Sequence, residues 1–399
     1  MTGRPPSAHP SSPLADAWLD EHESELIALR RDLHAHPELS RQEHRTTALL
    51  VEQLTAAGLS PKVLGGGTGL VCDVGSGEAP VVVLRADLDA LPLDDEKSVP
   101  YASTVPGTCH ACGHDVHTAA VLGAGLALVG GRFEGTVRLV FQPAEEQMPG
   151  GALDVVAEGW LDDVSAAFAL HCDPALEVGR VGLKSGAITA AADALEIVLT
   201  GPGGHTSRPQ NTVDLVHVLA TVATGLPEAL SRLVDPRAGL CLVWGHVNAG
   251  VASNAIPRSG TLRGTLRVLD KEAWHRAPDL VQRIVDSLVA PYGAHASVQY
   301  VRGVPPVVND PSATALMTAA VRTALGASGA VPTLQSLGGE DFGWYLDRVP
   351  GAMGRLGVRS PGQEHPHDLH QGGFDVDEDA LAVAVRVLVG TALAALSAG

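Results

Sequence analysis

Aromatic residues occupy only 4% of the 399 positions, and cysteine occurs five times. An odd number of cysteines without framework spacing argues against a disulfide scaffold. Lysine is scarce: of 27 basic residues only Lys62, Lys97, Lys184 and Lys271 are lysine, against 45 acidic ones, for a net charge of −18. That balance disfavours a nucleic-acid backbone or an anionic membrane as partner. No uninterrupted apolar run reaches the roughly 18 residues needed to span a bilayer. Met1 to Pro13 is polar and rich in Pro and Ser, with no cationic flank leading into an apolar segment. It reads as a short loose tail rather than a signal peptide, and a cytoplasmic location is the simplest expectation. Internal repeats are absent.

What is present is enough apolar residue, 45% of the chain, to fill two domains. The spacing of Leu14, Trp18, Leu26, Leu29 and Leu33 predicts a helix over 14–35, stopped before Pro37. A second helix is expected from Glu43 to Ala57. Strands are expected at Gly69–Val74, Pro80–Ala86, Gly135–Phe141 and Ala166–Leu170. The continuous, β-branched run Val81-Val82-Val83-Leu84 marks a strand buried on both faces. Between Gly186 and Gln299 the pattern becomes strand-helix-strand-strand-helix-strand, a ferredoxin-like unit inserted into an α/β domain. This predicts a catalytic domain over 14–187 and 302–399 with an inserted domain over 188–301. Gly303 to Asn309 reads as the return linker. Beyond it, helices are expected at Ser312–Leu325, after Gly338–Phe342 and at Asp377–Leu396, with Val331–Gln335 extended.

The chemistry concentrates in Cys109-His110-Ala111-Cys112-Gly113-His114-Asp115-Val116-His117, which packs two thiols, three imidazoles and a carboxylate into nine residues before a helical run. Thiolate and imidazole suit zinc and its neighbours. A structural zinc site would need a second cysteine pair, and no CxxC recurs. Further ligands must come from elsewhere. Successive strands end in Asp87-Leu88-Asp89, in Glu145-Glu146 after Gln142-Pro143-Ala144, and in His171. The carboxyl ends of parallel strands converge on one sheet edge, where such groups can meet. The candidates are Cys112, His114, Glu145, Glu146, His171 and His370. His365 and His367 compete with His370, which the Leu369-His370 frame favours. Cys109 and histidines 217, 246, 275 and 295 read as structural.

In order along the chain, Arg85–Pro92, His110–His117, Gln142–Glu146, Leu170-His171, Gly201–Asp214, Asn254–Arg267, Gly338–Phe342, and Leu369-His370 with Phe374 resemble the motifs of one family. It is the co-catalytic metallopeptidase family of aminoacylases and zinc carboxypeptidases. The match is to its amidohydrolase branch, which includes hippurate hydrolases and plant indole-acetyl-amino-acid hydrolases. The resemblance runs from about His34 to Leu381. It implies a mixed-sheet, zinc-aminopeptidase-like α/β domain with an inserted α+β dimerisation domain, and therefore a homodimer. It also implies two divalent metal ions per subunit, zinc or manganese first and cobalt or nickel as alternatives, held by Cys112, His114, Glu146, His171 and His370. Glu145 would be the general base, and Asp89 would orient a ligand imidazole. His205, behind the glycine turn 201–204, would reach the neighbouring subunit's site and donate to the oxyanion. Asn254 and Arg267 would hold the substrate, Arg267 by its carboxylate.

The implied reaction is hydrolysis of an N-acyl-amino acid to a carboxylic acid and a free amino acid, by water activated between the metals. A dipeptidase or carboxypeptidase is the alternative within enzymes. It needs an acidic partner for the substrate ammonium, for which Asp87 and Asp341 are the candidates. A catalytically silent binding protein and a structural-zinc module are the alternatives from other classes.

Overall fold

A computed structural model describes residues 12–398. Positions 1–11 of the expected tail lie outside the described residues, and Pro13 already belongs to the first helix, Pro13–Ala35. Two compact units emerge. The larger comprises residues 12–186, 308–334 and 341–398; the smaller comprises Ala187–Val307 and Gln335–Glu340.

The larger unit is built on a mixed sheet of eight strands among the described residues. In spatial order these are Lys62–Val63, Leu70–Gly75, Thr136–Gln142, Val81–Asp87, Val164–Glu177, Gly351–Arg359, Val181–Leu183 and Ala330–Pro332. The four central strands, Thr136–Gln142 to Gly351–Arg359, run parallel. Every residue of Val81–Asp87 and Thr136–Gln142 is buried, as strands covered on both faces require; Arg138 in the second is paired with Asp73 and Asp163. Helices His114–Leu128 and Asp379–Ala398 pack on these strands and on each other, with Pro13–Ala35 against both.

One strand was not expected, one expected strand runs longer, and one expected helix is short. Gly351–Arg359 is a central strand that the apolar pattern does not reveal. Its Gly351 and Gly357 lie so close to the Ala167 and Glu177 carbonyls that a Cβ would collide with them, so the positions that make the strand fit are those with no side chain to announce it. Pairing with that strand carries Val164–Glu177 past His171, which is therefore inside a strand and not at its end. Finally, Gly338–Phe342 opens only the four-residue helix Gly343–Leu346.

The C-terminal helix Asp379–Ala398 is long and apolar enough to cross a membrane by length and composition. It is mostly buried in the core, and Arg386, which interrupts its apolar sequence, donates through Nε to Asp16 Oδ1 at 2.8 Å.

The smaller unit has an antiparallel sheet in the order Cys241–Ala249, Ser259–Val268, Ala191–Thr200, His295–Val304, with helices Leu215–Leu233 and Lys271–Val289. This is ferredoxin-like order. The unit reaches Val307 and recruits Gln335–Glu340, beyond the expected limits of 188 and 301. The recruited segment is tied on by backbone bonds from Ser336 N to Ile188 O and from Ala190 N to Gly338 O. Asp193, buried in this sheet, accepts from Trp274 Nε1, the Tyr300 hydroxyl and Gly303 N.

In the larger unit, buried charges fix the first helix to the one that carries His114. Arg30 Nε and His34 Nδ1 both donate to Asp115 Oδ2 at 2.7 Å, and His34 Nε2 lies 3.3 Å from Asp95 Oδ2. Burial pulls the His34 imidazole down, but Asp115 and Asp95 outweigh it and raise its pKa from 6.5 to about 10. Because the folded value is the higher one, the resulting stabilisation is complete below about pH 6.5 and is lost as pH rises toward about 10. His34→Gln should therefore cost on the order of a few kcal/mol near pH 6 in denaturant unfolding, and the deficit should shrink with rising pH. Parallel pH–stability curves for the two proteins would contradict a cationic His34.

Candidate metal centre

Backbone geometry positions each donor. Gly113, in the left-handed region at φ 86°, turns the chain into helix His114–Leu128; a Cβ there would stand 2.7 Å from Cys172 Sγ. Cys112 and His114 thus flank a turn that only glycine makes without strain. His114 Nδ1 donates to the Asp89 carbonyl at 2.8 Å, and His171 Nδ1 donates to the Cys172 carbonyl at 2.8 Å. Each ring consequently commits Nδ1 to a carbonyl and leaves Nε2 to face the cluster, the arrangement that metal-ligating histidines use.

After strand Thr136–Gln142, Ala144 adopts a left-handed φ of 56°, so Glu145 and Glu146 do not alternate as strand neighbours would. Asp89 captures the turn: its Oδ1 accepts from Glu145 N at 3.0 Å, and its Oδ2 from Glu146 N at 2.9 Å and Ser40 Oγ at 2.6 Å. The side chain of Asp89 therefore holds the two glutamates, while its backbone carbonyl orients the imidazole. Burial pushes the Asp89 carboxyl up, but His114 and these donors hold it below the usual carboxylate range. His370, with φ 63° and its amide bonded to the Ala111 carbonyl, brings Nε2 to 3.2 Å from Glu146 Oε1.

These donors form one cluster. Cys112 with His114 and His171, Cys112 with Glu146 and His370, and His114 with Glu145 and Glu146 each bring their ligand atoms within 4.8 Å of one another. Cys112 Sγ stands 3.6 Å from His171 Nε2. His114 Nε2 is buried without a hydrogen-bond partner, 3.9 Å from Glu145 Oε2 and 4.0 Å from Glu146 Oε1. The Cys112–His171 contact is within range of a sulfur hydrogen bond, whereas the two carboxylate separations are too long for one. They suit donors around a shared cation, since metal bonds of about 2.0–2.3 Å place neighbouring ligands roughly 3.3–4 Å apart. The donor chemistry fits as well: a thiol, imidazoles and carboxylates. Burial, followed by His117 and Arg355, pulls His171 well below its ordinary value and keeps it neutral. Burial pushes the Cys112 thiol well up against the opposing effect of His114, so a metal bound there would displace a proton.

Several neighbours form a supporting layer, a role not expected of them from the sequence. Asp87 accepts from His117 Nδ1 at 2.6 Å, and Cys172 N donates to His117 Nε2 at 2.9 Å, so both nitrogens of His117 are committed. Arg85 donates to Asp87 Oδ2 and to Asp341 Oδ1, each at 2.6 Å. Asp87 and Asp341 are fully buried. Asp87 Oδ2 lies 3.7 Å from His114 Nε2, so this aspartate borders the donor cluster. The only sequence hint to this layer was spacing: His117 lies three residues beyond His114 on one helix face, and Asp87 two before Asp89. A second donor group, His34, Asp95 and Cys109, also gathers within 4.8 Å. It is already neutralised by Lys97, whose Nζ stands 2.9 Å from Asp95 Oδ1 and 3.9 Å from Cys109 Sγ.

His205, Asn254 and Arg267 belong to the smaller unit. His205 is exposed on the short pair Gly204–His205 and Ala255–Ile256, and the exposed Asn254 directly precedes its second strand, its carbonyl accepting from Thr206 N at 3.3 Å. Arg267 Nη1 donates to the Leu337 carbonyl at 3.1 Å.

Because Asp89 carries both glutamate amides, Asp89→Ala should lower metal affinity about 10- to 100-fold while leaving the fold intact. Competitive chelator titration measures this. Unchanged affinity would mean that the turn at Ala144 holds itself.

The geometry agrees with what the chain is similar to. Residues 83–394 match the profile of Peptidase family M20/M25/M40. A Rhodococcus jostii protein named as a glutamate–cysteine ligase 2-3 is 49% identical over 367 residues, 92% of this chain; the chain spans 46% of that protein's length. An N-acetylcysteine deacetylase of Bacillus subtilis is 38% identical over 366 residues, covering 90% of this chain and 93% of its own. The crystal structure of the Bacillus subtilis YXEP protein, described as a dinuclear metal-binding peptidase of the M20 family, superposes with a TM-score of 0.83 at 34% identity, covering 96% of this chain and 99% of that one. The chain belongs to peptidase family M20/M25/M40.

Proposed function

We propose that the protein is a metal-dependent amidohydrolase that splits N-acyl-amino acids into a carboxylic acid and a free amino acid. One observation carries the reading: His114 Nε2, buried and unpartnered, faces Glu145 and Glu146 in a cluster that also holds Cys112, His171 and His370. Cys112, His114, Glu146, His171 and His370 would hold two divalent ions, with the thiolate favouring a softer metal such as zinc and with manganese as the alternative. When bound, such a pair supplies Lewis acidity to the amide carbonyl and to water.

The chain's own residues do the rest. Glu145, only 8% exposed at its side chain and held through its amide by Asp89, would take the proton from the attacking water and hand it to the departing amine. That transfer turns a poor amide anion into a neutral amine leaving group. In the proposed homodimer, formed through the smaller unit, the partner subunit's His205 would donate to the carbonyl oxygen as it gains charge. Asn254 and Arg267 would bind the substrate, with Arg267 holding the α-carboxylate. The substrate class is supported by the Bacillus subtilis relative named for deacetylating N-acetylcysteine.

The test is release of free amino acid from N-acetyl-, N-benzoyl- and longer N-acyl-amino acids beside simple dipeptides, with and without chelator. Chelator-sensitive release from the acylated set is expected, and release from dipeptides alone would overturn the reading. Glu145→Gln should lower kcat at least about 10³-fold with metal content unchanged. Retained turnover would remove Glu145 as the base.

A further inference from the structure

We infer that Ser207 is a positioning residue that fixes His205 as an Nε2–H hydrogen-bond donor, an inference that rests on the role proposed for His205 above. The main-chain N–H of Ser207 donates to His205 Nδ1 at 3.1 Å, and Ser207 Oγ lies 2.9 Å from the same nitrogen. A neutral imidazole carries one N–H and one lone pair. A peptide N–H can only donate, so Nδ1 must accept and the ring proton lies on Nε2. The other tautomer would set two N–H groups against each other at 3.1 Å. The proton is thus assigned by a partner whose role is fixed. The Ser207 hydroxyl, a rotatable donor, points its proton at the same lone pair and restrains rotation of the ring.

The surrounding turn is built to keep this contact. His205 is registered opposite Ala255, and Arg208 N donates back to the His205 carbonyl at 3.0 Å. Thr212 Oγ1 donates to the carbonyl of Gly203, which sits at a left-handed φ of 72°. A Cβ on Gly204 would press on the Thr212 side chain at 3.0 Å. The bond from Arg208 N closes the turn that brings residue 207 back beside residue 205.

The functional consequence is directional. An Nε2–H suits an oxygen that is gaining negative charge and cannot take a proton from water. His205 is therefore a donor in the transition state and not a general base, which leaves Glu145 alone in that role.

The test uses the full-length, metal-loaded protein with ¹⁵N-labelled histidine, the His205 resonances being assigned by their loss in His205→Gln. The spectrum should show His205 as the Nε2–H tautomer; a dominant Nδ1–H form would overturn the inference. Ser207→Ala keeps the main-chain N–H and should leave the Nε2–H tautomer dominant, but it removes the hydroxyl that restrains the ring and should lower kcat roughly 3- to 10-fold on the best acylated substrate of the panel, with KM little changed. Ser207→Thr should restore the rate. An unchanged kcat in Ser207→Ala would overturn the positioning role of the hydroxyl. Should the wild-type protein release nothing from the panel, the functional reading fails, and the tautomer ratio still decides the part assigned to Ser207.

Discussion

The carboxylate of Asp89 is the constraint on which the centre depends. It stands just beyond strand Val81–Asp87 and receives the amides of Glu145 and Glu146, which follow the neighbouring strand, while its carbonyl holds His114 on the helix beyond. One residue therefore joins three segments far apart in sequence. A buried carboxylate is costly unless its oxygens are satisfied. Here three donors fill them, and the energy of burial is converted into a fixed turn. Without that turn, consecutive glutamates would face opposite sides, and one of them would leave the cluster.

A second layer of buried charge works in the same way. Arg85 joins Asp87 and Asp341, and Asp87 passes the constraint to His117 and on to the Cys172 amide, beside His171. Arg30, His34 and Asp115 repeat the pattern next to His114. Buried ion pairs contribute little net stability against an apolar core, but breaking one strands a charge and is expensive. Their effect is to penalise any displacement of the segments that carry the donors. The centre is thus specified by position more than by binding strength, which is what an array of ligands must have if it is to accept ions without rearranging.

Much of this was legible in the sequence, for identifiable reasons. The strand Val81–Asp87 declares itself by an unbroken β-branched run, and Cys112 and His114 by the density of donors around them. The convergence of Asp89, Glu145 and His171 follows from the geometry of parallel strands. What escaped was carried by residues without a pattern. Strand Gly351–Arg359 owes its place to glycines that let backbones approach, and glycine gives no periodic signal. The ties of Gln335–Glu340 to the smaller unit are backbone hydrogen bonds, which any side chains would permit. The pairing of Asp87 and Asp341 through Arg85 spans more than 250 residues of chain, and nothing local distinguishes those aspartates from groups that face a substrate. The role of Asp89 was only half visible: its tie to an imidazole was expected, its hold on the two glutamate amides was not.

The central claim is that Cys112 and its neighbours hold a pair of divalent ions. X-ray absorption at the metal edge, with metal quantified per chain, tests it most directly. The account predicts two ions per chain, one sulfur scatterer at about 2.3 Å when zinc is bound, and loss of that scatterer in Cys112→Ser. A single ion per chain, or two ions with no sulfur in either coordination sphere, would contradict it.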